Sequence, residues 1–122
     1  MTDSLMLRLP MPPTINHYWR YGARGRVYIS DKGVDFRREV LSRCASPVLL
    51  FPHQRLAMRV TLHADSKRRY DLDNRVKSLQ DALQKARVYA DDAQIDELLV
   101  RRGAVRSKGN ACCVVELGEY IA

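Results

Sequence analysis

Half of this chain's negative charge is gathered in one stretch: seven of its fourteen acids lie between Asp71 and Glu97, although the formal net charge is +7. Within that stretch stand two acidic blocks, Asp71-Leu72-Asp73 and Asp91-Asp92. Asp71 and Asp73 are two positions apart, so in an extended segment both carboxylates point the same way while Leu72 turns toward the core. Like charges held that close raise each other's pKa, a cost that is offset when a divalent cation lies between them. An all-oxygen donor set suits magnesium, or manganese, rather than zinc, and no histidine pair has the spacing to compete. The structural alternative is that Asp73 caps a helix starting near Asn74, that Asp71 pairs with Arg68 or Arg69, and that Asp91-Asp92 forms a solvated turn or a cap. Two such blocks in one short basic chain favour the chemical reading.

Metal-held carboxylates acting on a phosphodiester also need cations around them to hold the backbone. Lys67-Arg68-Arg69, directly before the first acid, supplies them. Lys77 lies four residues after Asp73, where it is either an ordinary helix ion pair or the cation that meets a scissile phosphate. Asp81 and Lys85, also four apart, are expected to be a surface pair. His17, His53 and His63 show no metal or triad spacing and are expected on the surface or in a strand. Tyr18, Trp19 and Tyr21 are expected as half-buried loop packing, with stacking on unpaired bases as the alternative.

These groups must be positioned by a small mixed α/β (α+β) domain. Leu5 to Leu9 suits a strand, ended by Pro10, Pro12 and Pro13. The next segment, to about Arg26, has no period and suggests an irregular functional loop. Val27 to Ile29 suits a second strand, and Ser30 or Asp31 a cap for a helix that turns Val34, Val40, Leu41 and Cys44 inward. Pro47 and Pro52 bracket the following loop. Leu56 to Ala64 alternates cleanly, with Leu56, Met58, Val60 and Leu62 on one face and Arg59, Thr61 and His63 on the other. A helix over 74–87 would align Val76, Leu79, Leu83 and Ala86. Leu98 to Ala104 and Ala111 to Leu117 suit strands, and the Ser107-Lys108-Gly109-Asn110 turn between them suggests a hairpin. The predicted order is β-β-α-β-α-β-β, a single domain over 1–122.

The basic balance, with a sequence pI near 9.7, favours a polyanionic partner but does not separate a nuclease from other nucleic-acid or membrane-surface proteins. Cys44, Cys112 and Cys113 make an odd count without metal-ligand spacing, which predicts free buried thiols. No stretch is apolar enough for a membrane span or a signal peptide, so the expected setting is cytoplasmic, with no membrane partner.

The run Arg69-Tyr70-Asp71-Leu72-Asp73-Asn74-Arg75-Val76-Lys77, followed by Asp91-Asp92-Ala93-Gln94-Ile95, resembles the signature of the RusA family of Holliday-junction resolvases. Leu9-Pro10-Met11-Pro12-Pro13-Thr14, with Asn16, Tyr18 and Trp19, is similar to the family's opening, so the resemblance covers nearly the whole chain. It implies a homodimeric, magnesium-dependent endonuclease that makes paired cuts in four-way DNA. Asp71, Asp73 and Asp92 match the family's essential metal-binding acids, Asp91 an auxiliary acid and Lys77 its catalytic lysine. Lys67, Arg68, Arg69, Tyr70, Asn74 and Asn16 are expected to touch DNA. Three positions depart from the pattern: Tyr70 where a basic residue is common, Arg87 where a helix-ending glycine is usual, and Tyr89 in place of tryptophan. The rival readings are a DNA-binding protein without catalysis and a metal-dependent nuclease for RNA or flap DNA. One geometric expectation concerns the dimer. A helix of the predicted length would carry the chain some 21 Å from Asp71 and Asp73, and the short link to Asp92 spans at most about 17 Å. That mismatch favours a site shared between subunits.

Overall fold

The computed structural model describes residues 4–44 and 48–122; Pro47 lies outside them. Four strands form one sheet: β1 (Ser4–Pro10), β4 (Leu56–His63), β5 (Ile95–Arg102) and β6 (Cys112–Glu119), in the order β1-β6-β4-β5. β6 runs antiparallel to β1 and β4, and β5 runs parallel to β4. Alternation decides which face is buried. Leu9, Leu56, Met58, Val60, Leu62, Cys113, Val115 and Leu117 join one core with Phe36 and Val40 of helix α2 (Asp31–Cys44) and Leu79, Ala82 and Leu83 of helix α3 (Val76–Lys85). A short helix α1 (Ile15–Tyr18) leads into a separate two-stranded hairpin, β2 (Trp19–Tyr21) with β3 (Val27–Ile29).

The mixed fold with two main helices agrees with the sequence reading, but four local expectations are corrected. First, 10–26 is not irregular: it holds α1, β2 and a 3-10 turn, Ala23–Gly25. The Val27–Ile29 strand exists, but it pairs within this hairpin and not with the main sheet. Second, Ser30 does cap α2, its Oγ accepting from the Gly33 N–H at 3.0 Å. The buried stripe, however, is Gly33, Phe36 and Val40, whereas Val34 and Leu41 are exposed. Gly33 sets that rotation, because a Cβ there would lie 2.6 Å from the Tyr18 carbonyl oxygen and from Ile29 Cγ1.

Third, β5 and β6 are not a hairpin, since β4 lies between them. The connection crosses the end of β4 and is bonded to it on the way: Gly103 N–H to Leu62 O, Arg106 N–H to Ala64 O, and Gly109 N–H to Asp65 Oδ2. The Ser107–Asn110 turn closes, with the Asn110 N–H donating to Ser107 O at 2.9 Å, but as a bend inside that crossover. A turn signature reports local backbone geometry, not which strands pair. Fourth, the predicted helix over 74–87 is a 3-10 turn, Asp73–Arg75, followed by α3, which ends at Lys85. Arg87 then takes φ +66° and reverses the chain. This is the left-handed position after a helix that glycine fills without strain.

The thiols behave as expected. None of the three is bonded to another; Cys112 and Cys113 are buried and Cys44 half-buried. Burial pushes the Cys113 thiol up to about 12. No helix among the described residues is long and apolar enough to cross a membrane.

Candidate active site and DNA interface

The short α3 and the reversal at Arg87 bring the second acidic block back along the helix that the first block precedes. Val88 and Tyr89 are fully buried on the return, with Leu50 and Phe51 bonded to the carbonyls of Arg87 and Val88. Asp92 thus arrives beside the first turn of α3 in its own chain, where Lys77 Nζ lies 3.1 Å from its Oδ2. The return therefore reaches Lys77 within one chain, while Asp71 and Asp73 do not join Asp92 there among the described residues. At ten residues α3 is about 15 Å long, and the nearly straight return covers it.

Asp92 is held from several sides. Its N–H donates to Gln84 Oε1 at 3.2 Å. Asp91 caps the 3-10 turn Asp92–Gln94 by accepting from the Ala93 N–H at 2.9 Å, and Gln94 Oε1 accepts from the Asp91 N–H in return. Gln94, itself buried, ties the turn to the carbonyls of Phe51 and Gln54 through its Nε2, at 3.0 Å each. The Tyr89 hydroxyl donates to Gln80 O at 2.7 Å. Burial, and then the nearby Asp92 carboxylate, push its pKa far above the ordinary tyrosine value, so it stays protonated. Amid this network Asp92 Oδ1 is buried beside the Tyr89 hydroxyl, whose proton goes to Gln80 O, and it makes no hydrogen bond of its own. Leaving a buried polar atom unsatisfied costs about 1–3 kcal/mol, more for a charge. An oxygen so placed fits a cation, and its hard, anionic character fits magnesium or manganese.

Asp71 and Asp73 are exposed and make no ion pair or side-chain hydrogen bond among the described residues. The structural alternatives for them are absent there: neither Leu72 nor Arg75, the residues at the starts of the 3-10 turn and α3, receives a side-chain cap. No three His, Cys, Asp or Glu side chains among the described residues stand close enough to hold a metal ion between them. The first block is therefore not drawn onto Asp92, an arrangement that mutual repulsion between carboxylates favours.

The basic surround is present and larger than the sequence suggested. Arg68, Arg69 and Tyr70 line a cleft of about 310 Å³ with Arg75, Asp65 and Ser66. Lys67, Arg68, Arg69, Asn74 and Asn16 are exposed. Tyr70 is flanked by two guanidiniums, Arg102 at 4.8 Å and Arg75 at 5.9 Å from its ring centre. Arg102 also donates to the Tyr70 carbonyl, and Arg75 donates to Pro12 O at 2.6 Å. Sequence reasoning missed Arg75 and Arg102. Arg75 stood inside the quoted signature, but Arg102 reaches the site only through the parallel pairing of β5 with β4.

Other expectations change. Asp81 pairs not with Lys85 but with Arg37, at 2.7 Å, and accepts from the buried Tyr18 hydroxyl. Tyr18 is fully buried, Trp19 half-buried and Tyr21 exposed, so the three do not form one packing unit. His17 and His53 are exposed and His63 lies in β4, as expected.

The family model described as endodeoxyribonuclease RusA matches residues 10–116. Crossover junction endodeoxyribonuclease of Enterobacteria phage HK97 is 42% identical over 97 residues, covering 78% of this chain and 79% of its own. The enzyme of the same name from Shigella sonnei is 34% identical over 118 residues, covering 95% and 98%. That from Escherichia coli K12 is 33% identical over the same length and shares. The two acidic blocks, Lys77 and the basic cleft all lie inside the matched region, and the chain belongs to the RusA family of endodeoxyribonucleases, enzymes that hydrolyse phosphodiester bonds in DNA.

Proposed function

We propose that this chain is a magnesium-dependent endonuclease that resolves four-way (Holliday) junctions in recombination and repair. The observation that carries the site assignment is the buried Asp92 Oδ1 without a partner, on the same carboxylate as the oxygen paired to Lys77. In this reading Asp92, Asp71 and Asp73 would hold a magnesium ion, with manganese able to substitute. Such an ion would supply activation of water and stabilisation of the leaving oxygen. The chain's own residues do the rest. Lys77, its side chain more than half exposed, is free to turn its Nζ from Asp92 toward the charge that develops on the phosphate. Asp91 and Gln94 fix the turn that aims Asp92, and the buried Tyr89 stays protonated beside it. Lys67, Arg68, Arg69, Tyr70 and Asn74, with Asn16 on α1, hold the backbone beside it.

The reading includes a homodimer in the cytoplasm. Two symmetric sites suit a substrate cut on two symmetric strands. A surface for it is at hand: β5 is an edge of the sheet among the described strands, with Leu98 and Leu99 each 45% exposed. Pairing two copies of β5 antiparallel about Leu99 sets Glu97 opposite Arg101 and Asp96 opposite Arg102, so the strand is complementary to itself. Leu99→Lys would place two like charges at the axis and should shift the protein to monomers in sedimentation.

Cutting assays on four-way junction, flap, duplex and RNA substrates, with and without magnesium, test the main reading. Paired cuts confined to junctions and dependent on magnesium are expected. Cutting of flaps or RNA in preference, or binding without cutting, would replace it by one of the rival readings.

A further inference from the structure

Between Trp19 and Ser30 the chain has three arginines, three tyrosine or tryptophan rings and no acid. The β2–β3 hairpin turns this composition into a shape. Arg20 lies directly opposite Tyr28, and Tyr21 opposite Val27. The tip is fixed by the Gly22 N–H to Arg26 O bond at 2.7 Å and the Arg26 N–H to Ala23 O bond at 3.3 Å, with Arg24 and Gly25 in left-handed conformations, φ +60° and +70°. A Cβ built on Gly25 would meet nothing within 4 Å, so the tip stands in open space. One side is a concavity of about 710 Å³ lined by Gly22, Ala23, Arg24, Arg26 and Tyr28. The Tyr28 ring edge runs 3.4 Å from where a Gly22 Cβ would be, along its wall. Arg20, Arg24 and Arg26 make no ion pair, side-chain hydrogen bond or ring contact among the described residues.

The base of the hairpin is the opposite of its tip. Tyr18 donates to Asp81, Arg37 pairs with Asp81, and the Arg37 guanidinium lies over the Tyr18 and Trp19 rings at 5.5 and 5.6 Å. On the β3 side the Ser30 N–H donates to Tyr18 O at 2.9 Å and its Oγ to His17 O. Asp81 is one helical turn beyond Lys77 on α3, so the hairpin is bolted to the helix that carries the candidate site. An acid-free projection with three unpaired guanidiniums matches a phosphate backbone, and a ring beside them matches the face of a base.

We propose that the β2–β3 hairpin is a second DNA contact, separate from the acidic site, in which Arg20, Arg24 and Arg26 bind backbone phosphates and Tyr28 stacks on a base. The proposal rests on the reading of the chain as a junction endonuclease, and its test separates the two. Binding of a fluorescent four-way junction is measured against salt for wild type and for Arg20→Gln/Arg26→Gln, both checked for equal melting temperature. Loss of two phosphate contacts should lower the salt slope by about two and the affinity at least tenfold. Wild-type slope and affinity in a variant of wild-type stability, while wild type still cuts junctions with magnesium, would overturn the hairpin contact alone. Wild type that neither binds nor cuts junctions would overturn both readings. If the double variant melts early, wild-type protein is cross-linked by light to junctions carrying 5-iodouracil near the branch. A cross-linked peptide containing Tyr28 supports the contact, and cross-links confined to residues outside 19–30 contradict it.

Discussion

Asp92 and the pair Asp71 and Asp73 carry the same charge and lie on the same stretch of chain, yet the fold treats them in opposite ways. Asp92 is fixed by a capped turn, two glutamine side chains and Lys77, and one of its oxygens is buried without a partner. Asp71 and Asp73 are exposed and unpaired, on a segment held by the half-buried Leu72 and by Tyr70 between two arginines. One half of the candidate site is built by folding. The other stands apart from it, an arrangement that keeps three carboxylates from repelling one another.

The largest effects should fall on chemistry and should be alike for both halves. Asp71→Asn, Asp73→Asn and Asp92→Asn are each expected to slow junction cutting about a thousandfold or more, since each removes a ligand whose ion contributes several kcal/mol to the transition state. Stability then separates the halves. Asp92→Asn should raise the unfolding free energy by about 1 kcal/mol, because relieving charge on the buried, unpartnered Oδ1 outweighs the loss of the pair with the exposed Lys77. The exposed pair should change it by less than about 0.5 kcal/mol. Equal melting shifts for all three variants in urea or heat would break the contrast.

Next in size is Lys77→Ala, expected to lower single-turnover cutting about a hundredfold while changing junction affinity only a few-fold. An equal loss in both would make Lys77 a backbone contact. Neutralising Arg68 and Arg69 together should act on binding instead, reducing the salt slope by about one to two. An unreduced slope would place the DNA away from the cleft beside Asp71.

The smallest expected effect concerns how Asp92 is returned to Lys77. Arg87→Gly relieves a left-handed arginine at the end of α3 and should stabilise the fold by up to about 1 kcal/mol. A loss of stability in thermal unfolding would show that the Arg87 side chain matters more than its backbone strain.

The clustering of acids, the basic run before them and the resemblance made the family and a candidate site legible in the sequence, and alternation made β4 legible. What stayed hidden was non-local. The Lys77–Asp92 contact depends on where α3 stops, and helical periodicity continues through Ala86 without marking that end. The unusual Arg87 was the available signal, since it stood where the resemblance leads one to expect a helix-ending glycine. The β5–β6 hairpin was inferred from a true turn, but strand order is decided by the parallel β4–β5 pairing, which no local pattern encodes. The β2–β3 hairpin was missed because its strands are three residues each, too short for alternation to appear. Arg37 reached Asp81 across two helices, where a spacing of four had suggested Lys85.

The most direct test is thermal unfolding of the DNA-free protein across a magnesium titration, for wild type and Asp92→Asn. A ligand that binds only the folded state stabilises it by about 2.7 kcal/mol at a hundred times its dissociation constant. A melting temperature that climbs with magnesium in wild type and stays level in Asp92→Asn is the predicted result. Parallel curves for the two proteins would contradict the assignment of Asp92 as a metal ligand.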